Sequence, residues 1–332
     1  MSDDIWSVKR ILDWIEGYLD KHGDENPRYS AQWLVADALN CTRMQLFLDL
    51  ERPLTLAERE TLREYTRRRG AGEPLQYISG KASFRHIEVK VAPGVLIPRP
   101  ETEVLVSEAL ALLPAPEKPQ DAYDAQILKM LQGEENPNDQ FSNDDADGTQ
   151  RELLVSDICT GTGCIACSIA YEHPNTHVIA TDISPIATTL ARENVKLLGL
   201  DERVSVIECD LGADVDESLL GSFDLVVSNP PYVPTDVLAN IPSEVANFEP
   251  ALALDGGADG LDIFRRLLSW CNVALRPGGA FAFELHETCL EAASYEALQA
   301  GFTDVRIIND LAERQRVLVG RRAEIDEASQ SI

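Results

Sequence analysis

The sequence predicts an α/β protein, a mainly parallel sheet with helices on both faces, preceded by a small helical domain and a β-hairpin linker. Three observations carry this. Ahead of Gln76 the apolar residues recur at helical spacing, with no strand signal. From Glu152 onward short apolar runs alternate with helix-sized segments, the pattern of parallel strands joined by crossover helices. The fourth of those runs, Phe223–Ser228, stops at Asn229-Pro230-Pro231-Tyr232, where two prolines lacking N–H groups end any ladder. In open α/β sheets ligands bind at the carboxyl ends of the strands.

The elements follow in order. Ile5, Val8, Ile11, Leu12, Ile15 and Leu19 mark a first helix that ends before Gly23 and Pro27. Ser30 is the expected cap of a second, whose apolar side is Leu34, Val35, Ala38 and Leu39. A short apolar run spans Met44 to Leu50. Thr55-Leu-Ala-Glu58 reads as a capping box opening a helix to Arg69. Gly70 to Pro74 breaks the pattern, Tyr77 to Ile97 alternates like the strands of a hairpin, notably over Ile87–Val91, and Pro93-Gly94 supplies a turn. Val104–Leu113 reads as a helix. The stretch from Pro114 to Gln150 is acidic and rich in Asn, Gly and Pro, so it should be mobile surface with at most a short helix at Ala122–Leu131. Expected strands are Leu153–Ile158, His177–Thr181, Val204–Glu208, Phe223–Ser228, Gly279–Glu284, Val305–Ile308 and Gln315–Val319. Helices are expected at Pro185–Leu198, Gly260–Leu275 and Glu287–Ala300. Only Asn309 to Arg314 separates the last two strands, which favours an antiparallel final pair. The expected division is a helical domain over 1–72, a hairpin linker over 73–100, the α/β domain over 101–322 with the insertion at 114–150, and a tail over 323–332.

Composition narrows the function. The 332 residues are 44% hydrophobic, enough for a sizeable core, and contain no apolar run long enough to span a bilayer. The acidic amino terminus lacks a signal-peptide pattern, and a cytoplasmic location is expected. A net charge of −27 argues against a long phosphate-binding footprint. Arg63, Arg67, Arg68 and Arg69 form the one basic cluster of note, read as a solvated helix end suited to the helix dipole. Seven cysteines are expected to be reduced, and Cys164 and Cys167, set among Ala and Ile, read as small buried helix residues rather than metal ligands. No metal is expected.

The strand ends carry the chemical signal. The first strand runs into Asp157-Ile158-Cys159-Thr160-Gly161-Thr162-Gly163, where glycines admit close backbone approach to a ligand. Asp157 is placed to meet an ammonium group. Asp182, closing the second strand, suits both hydroxyls of a ribose. Asp210 and Leu211, ending the third, suit the amino group and ring face of adenine. Each acid alone could be a helix cap. Together they describe S-adenosylmethionine better than a dinucleotide, whose pyrophosphate needs a helix N-terminus clear of carboxylates. At the fourth strand end, the Asn229 side-chain oxygen and the Pro230 carbonyl can accept both N–H bonds of a planar amino group. Tyr232 offers a flat face for stacking. Such a site would act mainly by orientation, without a catalytic histidine.

These segments resemble the bacterial peptide chain release factor glutamine methyltransferases. The resemblance rests on Asp157–Gly163, Asp182, Asn229–Tyr232 and Leu96-Ile-Pro-Arg-Pro-Glu-Thr-Glu103, with Phe248-Glu-Pro250, Gly256–Leu261 and Asp310–Arg316 in support. It implies a Rossmann-like class I S-adenosylmethionine-dependent methyltransferase fold, a seven-stranded mostly parallel sheet with an antiparallel last strand. It further implies N5-methylation of the glutamine in the Gly-Gly-Gln motif of class 1 release factors, bound by the helical domain. Carried over by position, Cys159–Gly163, Asp182 and Leu211 bind the cofactor, Asn229–Tyr232 hold the glutamine, and Arg99 and Glu101 lie on the substrate side. Cys159 stands where many members have glycine, and Leu211 replaces an aromatic found in some.

Three other readings remain open on sequence grounds. A ribosomal-protein glutamine could be the acceptor, since sister enzymes share the Asn-Pro-Pro-Tyr site. An adenine in nucleic acid is weaker, given the charge and the lack of a basic recognition region. A non-catalytic binding subunit is disfavoured by the retained cofactor acids and Asn229.

Overall fold

The computed structural model describes residues 6–115, 151–238, 241 and 243–324. The first unit is helical: α1 (Val8–Lys21), α2 (Pro27–Ala38), α3 (Arg43–Leu46), α4 (Leu56–Gly70) and α5 (Leu75–Ser79). The apolar stripe read from α1 is the stripe that is buried, and Ile15 and Leu19 meet Leu34, Val35 and Leu62 in a core of their own. The capping box of α4 forms as expected, Thr55 Oγ1 accepting from the Glu58 N–H while Glu58 accepts from the Thr55 N–H. The start of α2 differs from expectation. It begins at Pro27, whose preset φ and missing N–H suit a first helical turn, and Ser30 lies inside it, donating to Asp24 Oδ2.

The linker contains β1 (Lys81–Phe84) and β2 (Ile87–Lys90), paired antiparallel with Phe84 opposite Ile87. Pro93-Gly94 forms the expected turn after β2, and the hairpin turn is Arg85-His86. Arg85 holds it in the left-handed region, at φ 50°, by pairing with both oxygens of Glu172 and bonding the Glu103 carbonyl. Distant partners fix that turn, so local composition does not announce it. Helix α6 runs Pro100–Leu112, starting earlier than expected because Pro100 takes the first helical position. The insertion and its expected short helix fall almost wholly outside the described residues.

The second unit carries β3 (Leu153–Ile158), α7 (Cys164–Glu172), β4 (Thr176–Asp182), α8 (Pro185–Leu197), β5 (Val204–Glu208) and β6 (Phe223–Ser228). It continues with α9 (Thr235–Leu238), α10 (Ser243–Phe248), α11 (Asp262–Ala274), β7 (Leu275–Glu284), α12 (Leu290–Gln299), β8 (Phe302–Asn309) and β9 (Gln315–Arg322). The sheet order is β5-β4-β3-β6-β7-β9-β8, with β9 antiparallel to both neighbours and the inner pairs parallel. Helices cover both faces, so β6 is buried at every residue. Leu225 and Val227 enter the core under α6 and α7, while Val226 joins Phe264, Phe281 and Phe283 on the other side.

Strand order reverses between the parallel strands β3 and β6, the switch point where a crevice opens. The registers Ile158↔Thr181, Ile158↔Ser228 and Asp182↔Glu208 bring four strand ends level at that edge. Among the described residues no helix is long and apolar enough to cross a membrane, and no cluster of His, Cys, Asp and Glu could hold a metal ion. Cys164 and Cys167 are buried in α7, as expected of small packing residues.

Candidate active site

A cavity of about 290 Å³ lies at this carboxyl edge, lined by the β3–α7 loop, the ends of β4 and β6, the linker from Gly94 to Arg99, and the segment from Pro250 to Asp255. Cys159, Thr160, Gly161 and Thr162 all line it. Cys159 and Gly161 have φ of 60° and 57°, a left-handed backbone in which glycine is at ease and cysteine is strained. Gly163 lies behind the loop. A Cβ there would stand 3.2 Å from the Ala191 Cβ and 3.3 Å from its Cα, so glycine lets α7 pack on α8.

Asp182 lines the cavity and also builds it. Its Oδ2 accepts the Gly161 N–H and its Oδ1 the Ser184 N–H, each at 2.9 Å. Burial raises its pKa, and those backbone donors pull it back down. Asp157 is placed differently from the expectation of a ligand contact. It does not line the cavity but is fully buried beneath the loop. Its Oδ2 accepts from Thr160 Oγ1 at 2.6 Å and from the Ala166 N–H at 3.1 Å, while Oδ1 has no partner. Desolvation pushes its carboxyl up to about 7.

Asp210 and Leu211 line the other end. Asp210 is paired with Arg266 of α11 at 2.6 Å, a cavity residue that sequence reasoning missed because it sits on an amphipathic helix with no motif around it. The cavity-lining Thr102 was missed in the same way, hidden inside the Pro-Arg-Pro-Glu-Thr-Glu segment.

Asn229 and Pro231 face the cavity; Pro230 and Tyr232 do not line it. The Asn229 Nδ2 donates to Thr102 Oγ1 at 3.1 Å, which leaves Oδ1 as the free acceptor. Tyr232 donates its hydroxyl to Glu284 Oε1 at 2.9 Å, and its ring packs against the core under α11 and α12. The expectation of an open stacking face is corrected, because the hydroxyl finds a buried acceptor and takes the ring inward. Glycines support this turn from behind. A Cβ on Gly256 would stand 2.6 Å from the Tyr232 Cα, and one on Gly260 2.5 Å from the Tyr232 carbonyl oxygen. Val233 adds a short parallel bridge to Asp255.

Arg99 lines the cavity and pairs with Glu249. Glu101 does not. It pairs with Arg314 at 3.3 Å, since Arg99 is the extended cap residue of α6 while Glu101 lies within its first turn and points elsewhere. The basic cluster on α4 is also less solvated than expected. Arg67 pairs with Glu64 at the surface, but Arg68 pairs with Glu73, and Arg69 reaches both Asp24 and Glu244.

A sheet of this order, with acids at successive parallel strand ends around a carboxyl-edge cavity, defines a class I methyltransferase. Comparison with known proteins agrees. Residues 10–80 match the PrmC N-terminal domain, and residues 145–243 match the methyltransferase small domain. The release factor glutamine methyltransferase of Geobacter sulfurreducens is 35% identical over 318 residues, covering 96% of this chain and 98% of the relative. Those of Rhodopirellula baltica and Moorella thermoacetica are 34% and 37% identical, covering 97% and 91% of this chain and 98% and 94% of the relatives. The chain belongs to the release factor glutamine methyltransferase family, and its family and fold imply S-adenosylmethionine as methyl donor.

Proposed function

We propose that this protein transfers a methyl group to N5 of the glutamine in the Gly-Gly-Gln motif of class 1 release factors. The observation that carries the reading is Asn229, held at a strand end with its side-chain oxygen free beside the cavity, in a chain similar to these enzymes over almost its full length.

The residues present suit S-adenosylmethionine, which when bound supplies a sulfonium methyl group that is already a strong electrophile. A carboxylate has about four lone-pair sites. Asp182 uses one on Oδ2 for the loop at Gly161 and one on Oδ1 for the Ser184 N–H, and keeps others for the paired hydroxyls of a ribose. Cys159 to Thr162 present loop backbone to the cavity, Leu211 presents an apolar side chain, and Asp210 with Arg266 forms a polar end. Asp157 acts in this reading as a strut for the loop.

On the acceptor side, Asn229 Oδ1 takes one N–H bond of the glutamine amide and the Pro230 carbonyl, at the turn beside the cavity rather than in its lining, takes the other, turning the nitrogen lone pair toward the methyl carbon. An amide nitrogen is a poor nucleophile, so these acceptors lower the barrier by stabilising positive charge as it develops there. The methyl carbon would come from S-adenosylmethionine bound there, the breaking bond's electron pair staying on sulfur as a neutral thioether, and the methylated amide nitrogen would release its proton to water. Orientation supplies most of the acceleration. The helical unit, with its own core, is the surface that receives the release factor.

The test is incubation with labelled S-adenosylmethionine and, separately, purified release factor, ribosomal proteins and DNA. Label is expected on the release-factor glutamine and absent when that residue is replaced by alanine. Label found only on ribosomal protein or only on DNA would overturn the reading.

A further inference from the structure

Asn229 has a side chain that can face either way. A half-turn about its last bond exchanges an acceptor oxygen for a donor NH₂ with little change in shape, and only the acceptor face can hold a substrate amide N–H. What fixes the choice is a buried chain of polar groups. Thr102, in the first turn of α6 and only 2% exposed, offers Oγ1 to the Asn229 Nδ2 at 3.1 Å. Behind it, at the end of β7, Glu284 is 1% exposed and accepts the Tyr232 hydroxyl on Oε1. Its Oε2 is buried without a partner at full hydrogen-bonding geometry. Burial raises its pKa, and the contacts from Thr102 and Tyr232 and the positive charge of Arg316 oppose that rise.

We propose that Thr102 is a positioning residue that fixes the orientation of the Asn229 amide, so that its oxygen and not its NH₂ meets the substrate nitrogen, while Glu284 holds the other end of the turn through Tyr232. The inference rests on the glutamine reading for its substrate but on hydrogen-bond direction for its logic. Thr102 Oγ1 is the buried acceptor at Asn229, and Glu284 anchors the same turn through the Tyr232 hydroxyl. The Thr102 lone pair faces Asn229, and a lone pair takes only a donor, which places Nδ2 there and leaves Oδ1 for the cavity. Glu284 holds the Tyr232 hydroxyl, so the two ends of the Asn-Pro-Pro-Tyr turn are held by two buried polar side chains. Without Thr102, Nδ2 would lose its buried acceptor and the amide would rotate freely. In the rotated state it presents a donor to a donor.

Two readouts test this. In steady-state methylation of purified release factor, Thr102→Val, nearly equal in shape but unable to accept, should lower kcat about 10- to 100-fold. Its KM for release factor and its calorimetric affinity for S-adenosylmethionine should stay within about threefold, and Thr102→Ser should restore kcat to within about threefold. Wild-type kcat in Thr102→Val, or equal loss in Thr102→Ser, would overturn the proposal. So would a loss of cofactor affinity that matched the loss of turnover. The second readout needs no substrate: the Asn229 side-chain NH₂ resonances, assigned by their loss in Asn229→Asp, should exchange slowly in the wild type and fast in Thr102→Val. Equal exchange in both would refute the positioning role whatever the enzyme methylates. A wild type that leaves release factor unlabelled while showing the exchange difference would refute the substrate reading alone.

Discussion

Arg99 sets its Nη2 2.6 Å from each carboxylate oxygen of Glu249, joining the cap of α6 to the segment that follows α10. The pair is lopsided, the Glu249 side chain being 1% exposed and Arg99 34%. Burial pushes the Glu249 carboxyl upward and Arg99 pulls it back. Arg99→Met should therefore strand a buried carboxylate and cost about 1–3 kcal/mol at pH 8. The folded pKa of Glu249 would rise further, so the penalty should shrink as pH falls through it and the group takes a proton. Urea unfolding at both pH values measures this, and Arg99→Met with Glu249→Gln should recover most of the loss.

Asn229→Ala should leave affinity for S-adenosylmethionine nearly intact and lower turnover roughly 10²- to 10³-fold, because it removes an acceptor whose value appears in the transition state. Calorimetry and single-turnover methylation separate the two effects. A collapse of cofactor affinity would make Asn229 a structural residue.

Asp182→Asn should weaken cofactor binding at least about tenfold. Both carboxylate oxygens accept backbone N–H groups, and an amide must turn its own NH₂ toward one of them, setting donor against donor. The loop should loosen with it. Calorimetric titration gives the affinity, and amide exchange at Gly161 reports the loop.

Asp157 carries a pH signature. Its folded-state pKa of about 7 lies above the usual 3.8, so the native protein binds more protons than the unfolded chain between those values. Stability from this group is greatest below that window and falls as pH rises through it. Asp157→Asn, which cannot ionise, should gain on the wild type between pH 4 and pH 8, by up to about 4 kcal/mol at full ionisation. Unfolding midpoints of both proteins across that range measure the divergence.

Gly260→Ala should damage the turn at Asn229 without touching its side chain. Gly260 has φ 76°, and the added Cβ would stand 2.5 Å from the Tyr232 carbonyl oxygen, a backbone atom that cannot step aside cheaply. A loss of about 2–4 kcal/mol is expected, with turnover reduced in the protein that still folds. Gly221→Ala, also left-handed but with nothing within 4 Å, should cost less and spare turnover.

The sequence determined this protein's frame. Strand–helix alternation, the short link before β9 and the glycine loop dictate a sheet of this type. The prolines at 230 and 231 end β6 by covalent constraint, and successive acids mark the edge where a ligand belongs. These features are local or periodic, so a linear reading reaches them. Tertiary structure alone decided the direction and pairing of the side chains. Asp157 went under the loop, Tyr232 turned inward to Glu284, Glu101 turned to Arg314, and the hairpin turn fell at Arg85 because Glu172 waits there. The Thr102–Asn229 bond spans 127 positions, and nothing in either neighbourhood names the other. The physical reason is the same in each case. A buried polar group must find a partner, and which partner is near depends on how the sheet closes, not on what lies next in the chain.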